Sequence, residues 1–169
     1  LDGPGIGLVN EQVAFALVPS REMQARSLDD LDLQLMEWRT KLPSRSVGGA
    51  MIDYPWDLVE YNAQALEEDG RHWRTHRESI LPEGPALLGP RDELFLDPTA
   101  QVEPLVLIDT SRGPVMLDRG VVVQAFSRIE GPCYIGPDTH VMAGRIKGSS
   151  IGSQCRIGGE VESSIVHGH

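Results

Sequence analysis

Residues 134–159 read YIGPDTHVMAGRIKGSSIGSQCRIGG, and the pair Ile-Gly returns within them at positions 135, 151 and 157. The aliphatic residues of these pairs belong to a longer series that advances mostly in steps of six: Leu96, Val102, Ile108, Leu117, Val123, Ile129, Ile135, Val141, Ile151 and Ile157. A period of six fits neither an amphipathic helix nor a hairpin meander. It is typical of a solenoid in which three six-residue units, each a short strand and a corner, make one triangular turn.

A second signal accompanies the first. Four positions after most of the aliphatic residues comes a small residue, namely Ala100, Val106, Val121, Ser127, Cys133, Thr139, Cys155 or Val161. We expect the aliphatic side chain to point into the prism and the small one to fill the narrower space beside a corner. Gly, Asp or Glu often follows the aliphatic residue directly and is expected to supply the backbone angles of the corner. The pattern predicts a mainly β fold, a left-handed parallel β-helix of roughly three turns.

Two steps break the period. Ile108 and Leu117 are nine residues apart, and Val141 and Ile151 are ten apart. Inserted residues in a solenoid leave the prism as loops. Because the stacked strands form the core, we expect ligands or neighbouring subunits to contact these loops and the edge after Glu160.

The chain before the repeat contains one predicted strand and two predicted helices. Residues 8–18 alternate in the manner of one buried strand. Ser27 is a predicted N-cap for a helix of roughly 11 residues. A second helix is expected to start just after Pro55, with Asp57 as a capping carboxylate, and to stop at Gly70.

The predicted domain organisation follows from a shift in composition. A Pro- and Gly-rich connector over 81–92 separates an N-terminal part, 1–80, from the β-helix, 93–169. A basic run before the connector, which contains Arg71, His72, Arg74, His76 and Arg77, is either a phosphate contact or a solvated face.

Composition excludes several classes of partner. The 169-residue chain carries a formal charge of −10, which argues against a nucleic-acid partner. It contains no apolar run long enough to predict a membrane span. Its two cysteines, Cys133 and Cys155, both occupy the small inward position of the repeat, so we expect buried thiols in a reducing cytoplasm rather than nucleophiles.

Four segments together resemble a known enzyme family: MIDYPWDLVEYNAQAL at 51–66, VLIDTSRGPVML at 106–117, IEGPCYIGPDTHV at 129–141 and SIGSQCRIGGEVESSIVHG at 150–168. They are similar to sugar nucleotidyltransferases with a C-terminal left-handed β-helix. The best resemblance is to the alternative bacterial and archaeal branch of the bifunctional N-acetylglucosamine-1-phosphate uridylyltransferase/glucosamine-1-phosphate acetyltransferase family.

The resemblance implies an α/β domain, of which residues 1–80 would be the C-terminal part. In the family this domain joins a nucleoside triphosphate to a sugar 1-phosphate with Mg²⁺. The β-helix forms a homotrimer and, in bifunctional members, acetylates the amino sugar with acetyl-CoA. The family's glycine-rich nucleotide loop and its acetyl-transfer histidine segment have no counterpart here, so we expect part of a longer enzyme, inactive by itself. The alternative is a trimerisation or binding module without catalysis.

The resemblance also suggests site residues. Asp53 best matches an aspartate that helps hold magnesium in related enzymes. Glu160, which we expect at a corner, is a candidate for hydrogen bonding to a sugar or a neighbouring subunit. His167 and His169 are candidates for lining a groove between subunits, where a general base for an amine would act. Together with His140 they do not have the spacing expected of a trimeric zinc β-helix.

Overall fold

The computed structural model describes residues 3–22, 27–73 and 82–169. It divides into two compact units, Leu1–Asp53 and Tyr54–His169. Within the described ranges the fold is mainly β, with two α-helices, and the larger unit is a parallel β-solenoid of about four turns. No helix in the described ranges combines the length and apolar character that crossing a membrane requires.

The first unit is a small three-stranded sheet with a helix. Its elements are β1 (Gly5–Val9), β2 (Gln12–Leu17), a 3₁₀ turn at Ser20–Glu22, α1 (Leu28–Lys41) and β3 (Ser44–Ser46). The prediction of one strand over 8–18 is wrong, because the chain reverses at Asn10 and Glu11, whose φ angles are 47° and 66°. Two successive positive φ angles make the tight turn of an antiparallel hairpin, in which β2 pairs with β1.

Helix α1 begins as predicted. The Ser27 hydroxyl accepts a hydrogen bond from the Asp30 amide at 3.1 Å, which satisfies one of the unpaired donors of the first turn. The helix extends over 14 residues, further than the sequence suggested, and Trp38 is buried on its packed face. Leu28 is 80% exposed and therefore lies outside that face.

The second unit contains α2 (Asp57–Trp73) and the strands of the solenoid. In chain order these strands are β4 (Ala86–Leu88), β5 (Leu94–Leu96), β6 (Gln101–Val102), β7 (Leu107–Asp109), β8 (Val115–Leu117), β9 (Val122–Val123), β10 (Arg128–Glu130), β11 (Cys133–Ile135), β12 (His140–Lys147), β13 (Ser150–Ile151), β14 (Arg156–Glu162) and β15 (Ile165–Val166). All pair in parallel with the strand one turn away.

The strands form three faces. The first face is β5-β8-β11-β13-β15, the second is β6-β9 followed by the beginnings of β12 and β14, and the third is β4-β7-β10 followed by the ends of β12 and β14. The predicted solenoid is confirmed at this level. Strand β4, its first strand in the described residues, lies within the segment 81–92.

The core is the stack of inward aliphatic side chains. Ile108, Ile129, Ile135, Val141 and Ile151 are all fully buried, as predicted. The small positions are buried beside them, with Val121, Cys133 and Thr139 at 0% exposure, and both cysteines carry free, buried thiols. Because the core is a continuous column, each coil is stabilised mainly by the coil before it and the coil after it.

The ten-residue step does not contain a loop, so that prediction is wrong. Ile146 lies midway between Val141 and Ile151, is 1% exposed and pairs in register with Ile129 on the third face. The step is therefore two units of five residues, and β12 continues around the corner. The corner can be this tight because Gly144 has no side chain; a β-carbon there would lie 2.2 Å from the Gly159 carbonyl oxygen.

The nine-residue step does leave the prism, as predicted. Its extra residues lie in the connection between β7 and β8, where Ser111 and Arg112 are exposed. An equally long connection joins β4 to β5 one coil earlier. The two stack directly, since the Thr110 hydroxyl, held 2.7 Å from the Pro90 carbonyl, donates a hydrogen bond to it.

Successive coils become shorter along the chain. Paired residues are 21 positions apart between Leu94 and Val115, and 18 apart between Val115 and Cys133. The separation falls to 16 between Tyr134 and Ser150 and to 15 between Ser150 and Ile165. The hexapeptide period thus describes the middle of the solenoid and gives way to shorter units at its end.

The glycines of the Ile-Gly pairs allow the backbones of successive coils to stack closely. Neither Gly136 nor Gly152 has a left-handed φ, so the predicted reason for them is wrong. A β-carbon on Gly136 would lie 2.8 Å from the carbonyl carbon of Gly152 in the next coil. The left-handed corner position instead comes three residues after the inward aliphatic residue, at Leu105, Gly120, Phe126, Asp138 and Gln154.

Helix α2 begins just after Pro55, as predicted. The Asp57 carboxylate reaches back and accepts a hydrogen bond from the Tyr54 amide at 2.8 Å, which closes the first turn. The predicted stop at Gly70 is wrong, because the helix continues to Trp73.

The packed face of α2 covers the outer surface of the first face. Gly70 is buried there, and a β-carbon on it would lie 2.8 Å from the Pro114 ring. Leu66 packs with Phe95 and Met116, which point outward from that face. The helix and the solenoid therefore share a second, smaller core.

Candidate functional site

The outer surface of the third face carries a row of paired charges, which we call the ionic ladder (Asp109, Arg128, Glu130, Arg145 and Glu160). Side chains alternate across a strand, so the residues flanking the inward isoleucines point outward. Parallel pairing then places Arg145 opposite Glu160 of the following coil, and it brings Arg128 diagonally to within 3.1 Å of Asp109 on the preceding coil. The signs alternate along the ladder, so that every member has an oppositely charged neighbour.

Glu130 is the centre of the ladder. Its Oε1 accepts hydrogen bonds from Arg145 Nε at 2.6 Å and from Arg128 Nε at 2.7 Å. The Arg145 bond, opposed by burial and reinforced by Arg128, holds the pKa of this carboxyl below its ordinary value. The Glu130 side chain is only 11% exposed, whereas the side chains of Arg128 and Arg145 are 41% and 40% exposed. The carboxylate is thus enclosed by cations that face the solvent.

Asp109 ends the ladder at the expanded corner. Its Oδ1 accepts hydrogen bonds from the Ser111 hydroxyl at 2.6 Å and the Ser111 amide at 3.0 Å. Its other oxygen receives Arg128 at 3.1 Å. The serine hydroxyl first, and the positive charges of Arg128 and Arg112 after it, lower the pKa of this carboxyl. Asp109 therefore joins the corner to the ladder.

Glu160, the predicted substrate contact, is the last member of the ladder. It lies within β14 opposite Arg145 and accepts a hydrogen bond from Arg145 Nη1 at 2.9 Å. Its side chain remains 66% exposed. Ion pairing to Arg145 is the role that the geometry gives this residue, and contact with a sugar stays a prediction.

His167 and His169 lie elsewhere on the prism. They follow β15, at the corner after the first face, and both side chains are exposed. Their backbones are held, since the His169 amide donates to Ser153 at 3.1 Å and the His167 carbonyl accepts from the Cys155 thiol at 3.5 Å. Glu160 belongs to the third face, so the structure does not gather these three residues on one surface.

Asp53 is exposed at the end of the first unit. In the part of the chain that the structure describes, no three His, Cys, Asp or Glu side chains are grouped in a way that would hold a metal. Of the basic run, Arg71 and His72 lie at the end of α2. Arg74, His76 and Arg77 lie outside the described residues.

The ionic ladder can offer hydrogen-bond donors to an anion. A guanidinium group has five N–H donors, and the bonds described above occupy two nitrogens of Arg128 and two of Arg145. Sequence reasoning missed the ladder. The signal was present, because charged residues of both signs flank the third-face aliphatic residues on successive coils, but the wrong register at the ten-residue step concealed it.

Comparisons with known proteins found no match to the chain among protein-family models, curated proteins or solved structures.

Proposed function

We propose that the chain is part of a sugar-nucleotide biosynthetic enzyme, a nucleotidyltransferase with a C-terminal β-helix of left-handed sense. The intact cytoplasmic enzyme transfers a nucleotidyl group to a hexosamine 1-phosphate, and its β-helix forms a homotrimer; if the enzyme is one of the bifunctional members, the β-helix also acetylates glucosamine 1-phosphate with acetyl-CoA. One observation carries the proposal. A helix that begins directly after Tyr54, Pro55 and Trp56 packs on a parallel solenoid, in the order that the resemblance implies.

In the proposed reaction an oxygen of the sugar 1-phosphate attacks the α-phosphorus of the nucleoside triphosphate, and pyrophosphate departs with the electrons of the broken P–O bond. Magnesium would offset the phosphate charges. The described residues do not form a magnesium site by themselves, because Asp53 has no group of metal-binding side chains around it among them. Further ligands would have to come from a longer protein, and we derive no step through the metal.

The proposal is tested with a longer protein that contains this segment, incubated with Mg²⁺, UTP and N-acetylglucosamine 1-phosphate. We expect release of pyrophosphate. Asp53→Asn should slow the release by about tenfold or more, whereas Asp69→Asn, an exposed carboxylate change on α2, should leave it unchanged. Failure to release pyrophosphate with every sugar 1-phosphate tried would eliminate nucleotidyl transfer.

The second candidate function is a trimerisation or binding module without catalysis. Large exposed apolar side chains at one corner of the solenoid, Leu105 and Phe126, favour it. A longer protein that assembles but shows neither nucleotidyl nor acetyl transfer would favour this candidate over the first.

A further inference from the structure

Three apolar side chains project from the corner between the second and third faces on successive coils. We call this set the apolar ridge (Leu105, Phe126 and Met142). Leu105 is 64% exposed, Phe126 is 75% exposed and Met142 is 37% exposed. Single exposed apolar residues are normal on a protein surface, but a row of them at one corner marks an interaction site.

The backbone at the ridge is held in an unfavourable conformation. Leu105 has φ of 67° and Phe126 has φ of 65°, in the left-handed region that bulky residues rarely adopt. At a different corner the same position holds Gly120, Asp138 or Gln154. Glycine or asparagine would serve the turn at less cost, so the large apolar side chains are not explained by the fold.

Neighbouring groups fix the Phe126 corner rigidly. The Glu103 carboxylate accepts a hydrogen bond from the Ala125 amide at 2.9 Å, from one coil to the next. The Ser127 hydroxyl donates to the Gln124 carbonyl at 2.7 Å across the turn itself. A side chain projected from a fixed backbone loses little entropy on binding, which suits it to an interface.

The charges beside the ridge favour an identical partner. A second copy of this chain would also carry a net charge of −10, so most of their surfaces repel each other. On one side of the ridge, however, the two arginines of the ionic ladder offset two of its three carboxylates, which leaves a net charge of −1 there. On the other side the outward residues of the second face include one acid and one base, Glu103 and Arg156, whose charges offset each other, and the uncharged Gln101, Val122 and Gln124. A surface with so little net charge can meet its own copy with little repulsion, whereas a basic partner would be attracted elsewhere.

We infer that the apolar ridge is the surface through which copies of this chain contact one another, with Phe126 at its centre. The inference rests on the self-association included in the proposed function and adds the surface that carries it. Phe126 and Leu105 bury their side chains against the neighbouring copy, which repays the unfavourable backbone angles of the corner.

The test uses the chain of residues 1–169 and measures its mass in solution by sedimentation over a range of concentrations. The variant Leu105→Asn/Phe126→Asn removes the apolar groups and places a residue that tolerates positive φ at both corners. We expect the parent to associate and the double variant to bind itself at least about tenfold more weakly. The melting temperature of the dissociated variant should be equal to or above that of the dissociated parent, because the strain is relieved.

The matched control is Ile165→Thr, which changes an apolar side chain of 44% exposure on the first face and should leave association unchanged. Association of the double variant as strong as that of the parent would overturn the ridge as the contact, and so would a parent that stays monomeric throughout. The single variant Phe126→Asn keeps the test decisive if the double variant does not fold. Mass is independent of pyrophosphate release, so a failure here is distinguishable from a failure of the proposed reaction.

Discussion

Arg145 joins three successive coils of the solenoid. Its Nε donates to Glu130 Oε1 at 2.6 Å on the preceding coil, and its Nη1 donates to Glu160 Oε1 at 2.9 Å on the following coil. These contacts, Glu130 first, raise the pKa of the guanidinium, which stays charged at every accessible pH. The packed column of isoleucines inside the prism is therefore reinforced by a charged row outside it.

Removing the central carboxylate should destabilise the solenoid. Glu130→Gln keeps the size of the side chain but leaves Arg128 and Arg145 facing each other without the charge between them. We expect the free energy of unfolding in urea to fall by about 1–2 kcal/mol, since the exposed sides of both arginines remain hydrated. Glu162→Gln, at the exposed ion pair with Lys147, is the control and should be close to the parent. Equal losses in the two variants would contradict the central role of Glu130.

The ladder also predicts how stability depends on pH. The pKa values of Glu130 and Asp109 are depressed below their ordinary values of 4.5 and 3.8. A carboxyl with a depressed folded pKa stabilises the protein above its unfolded value, and the contribution is lost as the pH falls through the folded pKa. Stability should thus decline below about pH 4.5. Glu130→Gln should show a shallower decline in urea titrations over that range, and an unchanged slope would count against the ladder as its source.

Because the coils stack closely, replacing glycine by alanine should strongly lower the free energy of unfolding at Gly136 and hardly change it at Gly158. Gly136→Ala places a β-carbon 2.8 Å from the backbone of Gly152, which no side-chain movement can relieve. We expect a loss of about 2–3 kcal/mol, by chemical denaturation. Gly158→Ala is the matched control, since the atoms nearest to its β-carbon lie 3.6 Å away. If Gly136→Ala left the free energy of unfolding unchanged, the coils would be more loosely stacked than described.

A buried hydroxyl links the third and fourth coils. Thr139 is 0% exposed, and its Oγ1 donates to the Gly152 carbonyl at 2.8 Å and accepts from the Cys155 amide at 3.0 Å. Thr139→Val keeps the shape but removes both bonds, so we expect a loss of about 2 kcal/mol in thermal or chemical unfolding. Thr99→Val, at an exposed corner where water can replace the hydroxyl, should cost less. A larger loss of stability in Thr99→Val than in Thr139→Val would contradict this explanation.

Cys133 should be chemically inert while the protein is folded. It is fully buried, and burial raises the pKa of its thiol to about 12. In a Cys155→Ala background we expect a thiol reagent at pH 8 to label it at least about 100-fold more slowly than in denaturant, as measured by mass spectrometry. Rapid labelling without loss of structure would reopen a nucleophilic role for this residue.

The solenoid could be predicted because its signal is local. Ile135 and Ile151 point inward in a pattern that each coil repeats, and no knowledge of distant contacts is needed to recognise it. The ten-residue step could not be resolved in the same way. Its length is compatible with one unit and a loop or with two short units, and only the pairing of Ile146 with Ile129 decides between them.

The reason for the glycines and the composition of the site were less predictable. Glycine occurs both where the backbone has a left-handed φ and where two backbones approach closely, and the sequence alone does not show which of the two reasons applies to Gly136. The ionic ladder depends on which residues stack, and that depends on the length of every preceding coil. If the number of units in the ten-residue step is wrong by one, Arg145 is no longer expected beside Glu130 and the ladder cannot be seen. Glu160 could be predicted as a contact residue from the sequence, but its partner Arg145 could not.

The shortening of the coils gives each one a distinct place in the stack. The coil of 15 residues from Ser150 to Ile165 is six residues shorter than the coil of 21 from Leu94 to Val115, so stacking one directly on the other would leave six residues of the longer coil outside the paired strands. Misfolded pairings, in which a coil stacks on one that is not its neighbour in the chain, are therefore disfavoured by the mismatch in coil length as well as by the sequence. Because the coil lengths differ, the order of the coils in the stack is specified by their lengths as well as by their sequences.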